Sequence, residues 1–493
     1  MKINVDANQL AASLKKTRIL VVGDIMLDCY FWGEVSRISP EAPVPVVTVG
    51  KKTWSLGGAG NVATNLSGLG CEAALIGATG RDWAGEHLRE LLSAAGVADL
   101  TVTEATRPTI TKTRVMAQRQ QIVRLDEEET RRLAADTETK ILNAVKAELP
   151  RCRAMILSDY GKGMFLSADF TQQLIGLGLS RRIPVLVDPK GADWLRYSGA
   201  TCITPNTAEL EGVVGKKLDD ETLLTKKAGA LREKLRLEWL LVTRGSKGMG
   251  LFGNQPTPMI LAAKAREVFD VSGAGDTVIA TLAAAAATGM IFAQAAAVSN
   301  LAAGIVVGKL GTQPILWEEL EQALTTENGK GIAPPVLKVA TLSAARDTLE
   351  NWRLKGNKIV FTNGCFDLLH PGHVSLLHQA RHLGDKLVVG LNTDASIKRL
   401  KGDARPILAG KDRAAILSAL EDVSLIVFFD EDTPLDLIGA LKPDILVKGA
   451  DYTIEAVVGR EIVESYGGKV CLVDILDGYS TTNIAKKLSA TGR

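Results

Sequence analysis

Aromatic residues are scarce in this chain, at 5%, which leaves little material for a surface that stacks nucleic-acid bases. An excess of either charge is also missing. Lys+Arg number 58 against 56 Asp+Glu, a formal net charge of +2, so no bulk electrostatic pull toward nucleic acid or an anionic membrane exists. The six cysteines, at 29, 71, 152, 202, 365 and 471, form no C-x-x-C pair, the pattern of a reduced, intracellular protein rather than a disulfide scaffold. Met1 to Leu14 mixes Lys2 and Asp6 with apolar residues and lacks the continuous apolar core of a signal peptide, so the expected location is the cytoplasm. Thr277 to Gly308 carries no charge at all and is long enough to span a bilayer. It is mainly Ala, which gains little from lipid, and Gly289, Gln294, Ser299 and Asn300 interrupt it, so two buried helices meeting near Gly289 are expected.

What is present is an ordinary globular composition, 46% hydrophobic and 23% charged, over 493 residues. That length suits two or three domains at roughly 100–200 residues each. The segment around Thr325 to Pro335 has no apolar periodicity and reads as a linker. The expected division is a front domain at 1–324, a linker at 325–344 and a back domain at 345–493. Both domains open on an apolar run that reads as a buried strand, Arg18–Asp24 and Lys358–Gly364. Further strand signals at Ala154–Ser158, Val185–Asp188, Cys202–Thr204 and Trp239–Thr243, then at Lys386–Leu391, Ser424–Phe429, Ile445–Lys448 and Val470–Val473, alternate with helix-length segments. That alternation predicts an α/β fold with a parallel sheet in each domain. Val44–Val49, Thr101–Thr103 and Thr109–Val115 fall outside it and suggest a small antiparallel flap. In parallel sheets ligands bind beyond the carboxyl ends of the strands, so chemistry is sought there.

In the front domain, Gly58-Ala-Gly-Asn-Val-Ala63 fits the dinucleotide pattern G-x-G-x-x-A, with Asp82 downstream as the acidic partner. Lys51–Leu56 is a poor buried first strand for that unit. A Gly-rich helix start, or a polar-substrate site in which Gly57, Gly58 and Asn61 meet sugar hydroxyls, remain open beside an NAD-dependent oxidoreductase. Asp270-Val-Ser-Gly-Ala-Gly-Asp276-Thr277 places consecutive amides of small residues, Gly273, Ala274 and Gly275, at a helix start, which makes an anion hole. Asp276 beside a bound terminal phosphate would take the proton from an attacking hydroxyl; helix capping is the simpler alternative. No G-x-x-x-x-G-K-[ST] run is present, which disfavours a P-loop kinase.

That string resembles the C-terminal signature of the ribokinase-like sugar kinases, and Gly57-Gly-Ala-Gly-Asn61 resembles their N-terminal one. Pro205-Asn-Thr-Ala-Glu209 is similar to the family's N-x-x-E element, and Val242–Gly248 to its nucleotide-side T-x-G-x-x-G loop. The resemblance implies that Asp276 is the catalytic base. It implies that Asn206 and Glu209 organise Mg²⁺ and the ATP phosphates, with Thr207 and Ala208 in the same element, and that Thr243, Gly245 and Gly248 line the nucleotide side. Asp24 and Asp28 are then placed to hydrogen-bond sugar hydroxyls, with a turn residue and an N-cap as the alternatives. Lys162, Lys190 and Arg37 are candidate cations for a second substrate phosphate.

Four of the five histidines lie at 370, 373, 378 and 382. His378 and His382 stand one helical turn apart with Cys365 nearby, but no acidic or thiol partner completes a zinc site at recognisable spacing, so solvated helix positions are expected. His370-Pro-Gly-His373 follows a strand and opens a helix, which places two imidazoles and free amides where a nucleoside triphosphate could lose pyrophosphate. The run Phe361-Thr-Asn-Gly-Cys-Phe-Asp-Leu-Leu-His-Pro-Gly-His373 resembles the cytidylyltransferase-like nucleotidyltransferases, and Gly478–Asn483 resembles their second phosphate-binding motif, with departures at Tyr479 and Asn483. The resemblance implies that Asn363, Gly364, Phe366 and Asp367 contact nucleotide, and that His370 and His373 stabilise the α- and β-phosphates. Lys401 and Lys448 would neutralise phosphate charge, Ser480, Thr481 and Thr482 would hold the β/γ end, and Mg²⁺ is the companion ion.

The two signatures in this order resemble the bifunctional heptose 7-phosphate kinase/heptose 1-phosphate adenylyltransferases of Gram-negative bacteria. That resemblance implies a ribokinase-like domain with a small β flap followed by a Rossmann-like nucleotidyltransferase domain. It implies ATP as co-substrate of both reactions, which make heptose 1,7-bisphosphate and then ADP-heptose for the lipopolysaccharide core. Because the first product carries two phosphates and the second substrate one, a separate phosphatase is expected between the steps. The flap strands need a cover, which suggests a homodimer. Another sugar or polyol phosphate with CTP, and a non-catalytic ligand sensor, are the remaining alternatives.

Overall fold

The computed structural model describes residues 5–117, 120–255, 257–264, 271, 273–309, 313–327, 338–354, 356–450 and 453–474. The chain forms two compact units, Met1–Gly331 and Ile332–Arg493. The range expected as linker is partly ordered: the helix Trp317–Glu327 ends within it, and the strand Val339–Ala340 pairs with Leu425–Phe429 in the second unit.

The first unit is built on a nine-stranded sheet. From one edge its strands run Met259–Leu261, Met249–Phe252, Trp239–Thr243, Cys202–Ile203, Val185–Asp188, Ala154–Ser158, Arg18–Gly23, Glu72–Ile76 and Ala98–Asp99. The first two make antiparallel pairs and the other pairs are parallel. The strand Arg18–Gly23 shows why both faces must be covered: Ile19 and Val21 enter one core, Leu20 and Val22 the other, and all four are fully buried. One face is packed by helices that include Ala59–Gly68, Ala274–Ala287 and Phe292–Val306, the other by Ala135–Glu148, Ala168–Ser180 and Glu221–Lys234. The uncharged stretch is two helices turning at Gly289, where φ is +85°, a conformation glycine adopts without penalty. Among the described residues no helix is long and apolar enough to cross a membrane.

The flap is larger than the sequence suggests, and mixed rather than antiparallel. Its strands lie in the order Pro45–Gly58, Ile25–Ile38, Ile110–Ala117, Gln120–Glu127, and the middle pair is parallel. Thr101–Thr103 does not belong to it, since Val102–Thr103 pairs with Ala78–Thr79. The strand at Ile25 escapes sequence reading because Ile25 to Cys29 is buried on both sides, which erases the period-two signal. Lys51–Leu56 is a strand of this flap and not the first strand of a dinucleotide-binding unit. Asp82 caps the helix Trp83–Ala94 and accepts from the Gly85 and Thr109 amides, so neither half of the G-x-G-x-x-A reading has the geometry NAD needs.

The second unit is a six-stranded, wholly parallel sheet in the order Val339–Ala340, Leu425–Phe429, Lys386–Asn392, Ile359–Gly364, Ile445–Gly449, Lys469–Val473. Ile359 and Phe361 face one core and Val360 the other. The strand order reverses at Ile359–Gly364, so a crevice opens beyond its carboxyl end.

Candidate active sites

In the first unit the residues at or just past the ends of three adjacent strands converge on one cleft of about 180 Å³. Asp159 and Tyr160, Asp188 to Lys190, and Thr204 with Asn206 and Glu209 meet Gly273, Gly275 and Asp276 from the start of the helix Ala274–Ala287. The Ala274 amide donates to the Val271 carbonyl at 3.3 Å, and the small residues Gly273 and Gly275 let an anion approach the start of this helix, where the helix dipole favours it. Asp276 is the third residue of the helix and Gly273 occupies the capping position, so helix capping does not account for Asp276. Its carboxylate is buried, accepting from Asn61 Nδ2 at 2.6 Å and from the Tyr160 hydroxyl. Burial lifts it to about 6, and Asp28 adds to the rise, while the Tyr160 and Asn61 hydrogen bonds pull it down. A carboxylate so tuned is a competent base near neutral pH.

Asn61 therefore spends its side-chain amide on the Asp276 carboxylate instead of offering it to a sugar hydroxyl. It is held in turn by Asn65, whose Nδ2 donates to the Asn61 carbonyl at 2.9 Å and whose Oδ1 accepts from Thr277 Oγ1 and the Ile315 amide. Asp24 also has a different task from the one its position suggests. Its buried carboxylate accepts the amides of Tyr160, Lys162 and Met164, fixing the loop that carries Tyr160, and burial with Asp159 nearby raises it to about 6. Asp28 is paired with Arg114, and a Cβ at Gly57 would come within 2.4 Å of its Oδ2, so the glycine is needed for that approach. Gly58 has φ of +58° and turns the flap strand into the helix Ala59–Gly68.

Asn206 caps the helix Thr207–Val214 in a reciprocal box with Glu209, at 2.9 and 3.0 Å, and the other Glu209 oxygen accepts from Lys190 at 2.8 Å. Asp188, absent from the sequence reading, sits opposite. Burial and the neighbouring Asp276 and Glu209 push it well above the usual carboxylate range. Three carboxylates around one cleft repel each other, and a hard divalent cation is the partner that oxygen set suits. Lys190 reaches this cleft. Lys162 is instead paired with Glu128, and exposed Arg37 lies nine positions beyond Asp28, roughly 30 Å along an extended strand. An adjoining bay of about 350 Å³ is lined by Asn206, Thr207, Ala208, Thr243, Gly245 and Lys247 among others. Gly248 does not line it; at φ of +81° its amide bonds the Gly245 carbonyl and closes the turn.

In the second unit His370 caps the helix Pro371–Arg381 and stacks on His373, ring centroids 3.8 Å apart, with Phe366 packed 5.1 Å from His373. The Nδ1 atoms of both imidazoles and Oδ1 of Asn363 are buried and find no hydrogen-bond partner among the described residues. Such groups are costly unless a ligand satisfies them. Burial lowers both histidines, His373 to about 4 with His370 and Lys401 contributing, so neither carries charge at neutral pH before ligand arrives. Lys448 approaches the Asn363 carbonyl at 3.4 Å. Gly364 ends the central strand against the Phe366 ring.

Asp367, expected to contact nucleotide, is consumed within the fold. It accepts from Arg405 at 2.6 Å and from the Ile407 and Leu408 amides, which hold it below the usual carboxylate range despite burial. Ser480, Thr481 and Thr482 lie outside the described residues. The sequence reading missed Arg413. This fully buried guanidinium donates to the carbonyls of Cys365, Asn392 and Leu408 and to Asp394 Oδ1 at 2.7 Å, tying together the segments that follow the strands Ile359–Gly364 and Lys386–Asn392. Arg413→Ala would remove this donor from three carbonyls and leave Asp394 with the Gly410 amide. The expected cost is about 1–3 kcal/mol, the range for leaving buried hydrogen-bonding groups unsatisfied, because Asp394 itself is partly exposed. Urea inactivation would show it as a lower midpoint for nucleotidyl transfer with the kinase midpoint unmoved; equal midpoints would refute it.

Residues 16–319 match the pfkB family carbohydrate kinases and residues 361–491 the cytidylyltransferase-like family. Across nearly the whole length, the chain is 49% identical over 474 residues to the bifunctional protein HldE of Methylobacillus flagellatus, covering 96% of each. It is 48% identical over 476 residues to that of Pelobacter propionicus, again 96% of each, and 47% over 477 residues to that of Paramagnetospirillum magneticum, 97% of each. The chain belongs to the bifunctional HldE family. It joins a carbohydrate kinase to a nucleotidyltransferase, as the two motif sets imply, and the oxidoreductase alternative falls. Among solved structures, phosphofructokinase-2 of Escherichia coli superposes with a TM-score of 0.53 at 19% identity, over 63% of this chain and 99% of that one. Ribokinase of Arabidopsis thaliana gives 0.51 at 21%, over 62% and 98%. At such identities the likeness speaks to fold alone, over less than two thirds of this chain.

Proposed function

We propose that the first unit phosphorylates heptose 7-phosphate at its anomeric oxygen with ATP, and that the second transfers AMP from ATP to heptose 1-phosphate, giving ADP-heptose and pyrophosphate. The observation that carries the reading is the pair of separately tuned phosphate sites: a buried carboxylate near pH 6 at a helix start, and two uncharged imidazoles with free nitrogens at another. In the first reaction Asp276 takes the anomeric hydroxyl proton as that oxygen bonds the γ-phosphorus, and ADP leaves. Gly273 and Gly275 face the transferred group, and Asp188 and Glu209 would hold Mg²⁺, which screens the phosphate charge. In the second reaction the sugar phosphate is already an anionic nucleophile, so no base is needed. Its oxygen bonds the α-phosphorus and pyrophosphate departs, with His370, His373 and Lys401 offsetting the charge.

The first product is a bisphosphate and the second substrate a monophosphate, so a separate phosphatase works between the steps in the cytoplasm. The flap exposes Val49, Trp54, Val123 and Leu125, which the strand register places on one face, and such an apolar face supports a homodimer covering this sheet. Phosphorus NMR of the chain with ATP, Mg²⁺ and heptose 7-phosphate tests the scheme. An anomeric phosphate should appear at once, and ADP-heptose only after a phosphatase is added. ADP-heptose forming equally well without phosphatase would refute the two-step order.

A further inference from the structure

The two histidines left as solvated helix positions acquire a third partner that the sequence does not place near them. His378 and His382 stand on successive turns at the carboxyl end of the helix Pro371–Arg381, His382 being its cap, with ring centroids 4.3 Å apart. Asp422, 44 residues beyond His378, comes from the segment that leads into the strand Leu425–Phe429, and its Oδ2 lies 3.1 Å from His378 Nδ1. One donor atom from each of the three residues falls within 4.8 Å of the others. Two ligand atoms on a tetrahedral zinc, each about 2.0–2.1 Å from the ion, are themselves about 3.3 Å apart. The His378–Asp422 pair already has nearly that separation. His382 Nδ1 meets the His378 carbonyl at 2.8 Å, so it carries the proton and leaves Nε2 its lone pair.

We propose that His378, His382 and Asp422 form a surface site for a first-row divalent cation of the zinc type, completed by water. Two imidazoles and one carboxylate suit zinc and its neighbours, whereas Mg²⁺ prefers oxygen ligands and keeps its waters, so this site is chemically separate from the Mg²⁺-dependent reactions. The bound ion ties the end of the helix that begins at His370 and His373 to a segment 44 residues away, closing a long loop as a clip. The ligands are exposed or half-buried, so the site fills and empties without unfolding the sheet.

The test is titration of the untagged full-length chain, stripped with chelator, by Co²⁺ followed through its visible absorption, then displacement by Zn²⁺ in the presence of excess Mg²⁺. One equivalent of Co²⁺ should bind and Zn²⁺, not Mg²⁺, should displace it. The His378→Ala/His382→Ala double variant should lose the signal, and Asp422→Asn should weaken binding by about tenfold or more, as removal of a ligand-set member does. Zn²⁺ should also raise the melting temperature of the wild type and leave that of the double variant unmoved. Binding that survives the double substitution, or no cobalt signal with the metal in tenfold excess, overturns the proposal.

Discussion

Replacing Asp276 with Asn is expected to lower kcat/KM of the kinase reaction by about 10²–10⁴-fold, the usual contribution of a positioned general base. The amide keeps the shape and a hydrogen-bond acceptor for Asn61 or Tyr160, so the loss would measure the missing proton acceptor rather than a collapsed site. ADP-heptose synthesis from heptose 1-phosphate should be unaltered in the same preparation, and an unchanged circular-dichroism melting profile serves as the folding control for the first unit. The wild type adds a second signature. Asp276 works as a carboxylate and titrates at about 6, so kcat/KM should be level above pH 7 and fall about tenfold per pH unit below 6. Asp24 titrates near the same value but acts on the loop, so the assignment rests on the variant. The residual rate of Asp276→Asn should lack the limb at pH 6. A variant that retains the limb, or loses less than tenfold in rate, would move the base elsewhere.

His373→Ala carries the second large effect, about 10²–10³-fold on adenylyl transfer, the cost of removing one preorganised donor from a transition state that gathers charge. The kinase should be untouched. Because burial holds His373 near 4 before ligand binds, the imidazole meets the nucleotide uncharged at neutral pH, and transfer should show no fall between pH 6 and 8 from its deprotonation. Binding of a triphosphate favours the charged form, so ATP affinity should strengthen as pH drops toward 5, and isothermal titration in two buffers of different ionisation enthalpy would reveal the accompanying proton uptake. Affinity that is flat from pH 5 to 8, with no proton taken up, would mean that the imidazoles only position.

Much of both sites was legible because their motifs are local. Gly273 to Asp276 and His370 to His373 each lie within one turn of a helix start, and the strand before His370 is marked by an apolar run. What was not legible depends on which acceptor a carboxylate finds. Asp24 and Asp367 follow strands as catalytic groups do, yet each is saturated by backbone amides from loops far along the chain. Nothing in the sequence distinguishes them from Asp276, whose two partners are side chains. Tyr160 and Asp188 could have been found, since both sit at or just past a strand end. Asp422 could not, because its partners lie 44 and 40 positions back and meet it only through sheet order.

The Asn61–Asp276 contact spans 215 residues and the Asn65–Ile315 contact 250. On a ribosome adding 5–20 residues per second, Asn61 waits about 11–43 s for the carboxylate it is to hold. Throughout that interval the Asn61 side-chain N–H lacks the Asp276 carboxylate it donates to, and the helix it belongs to has nothing of Ala274–Ala287 to pack against. The first unit is thus a late folder, finishing its catalytic centre only as its final helices emerge. A nascent chain halted before residue 276 would present that unfinished face to chaperones.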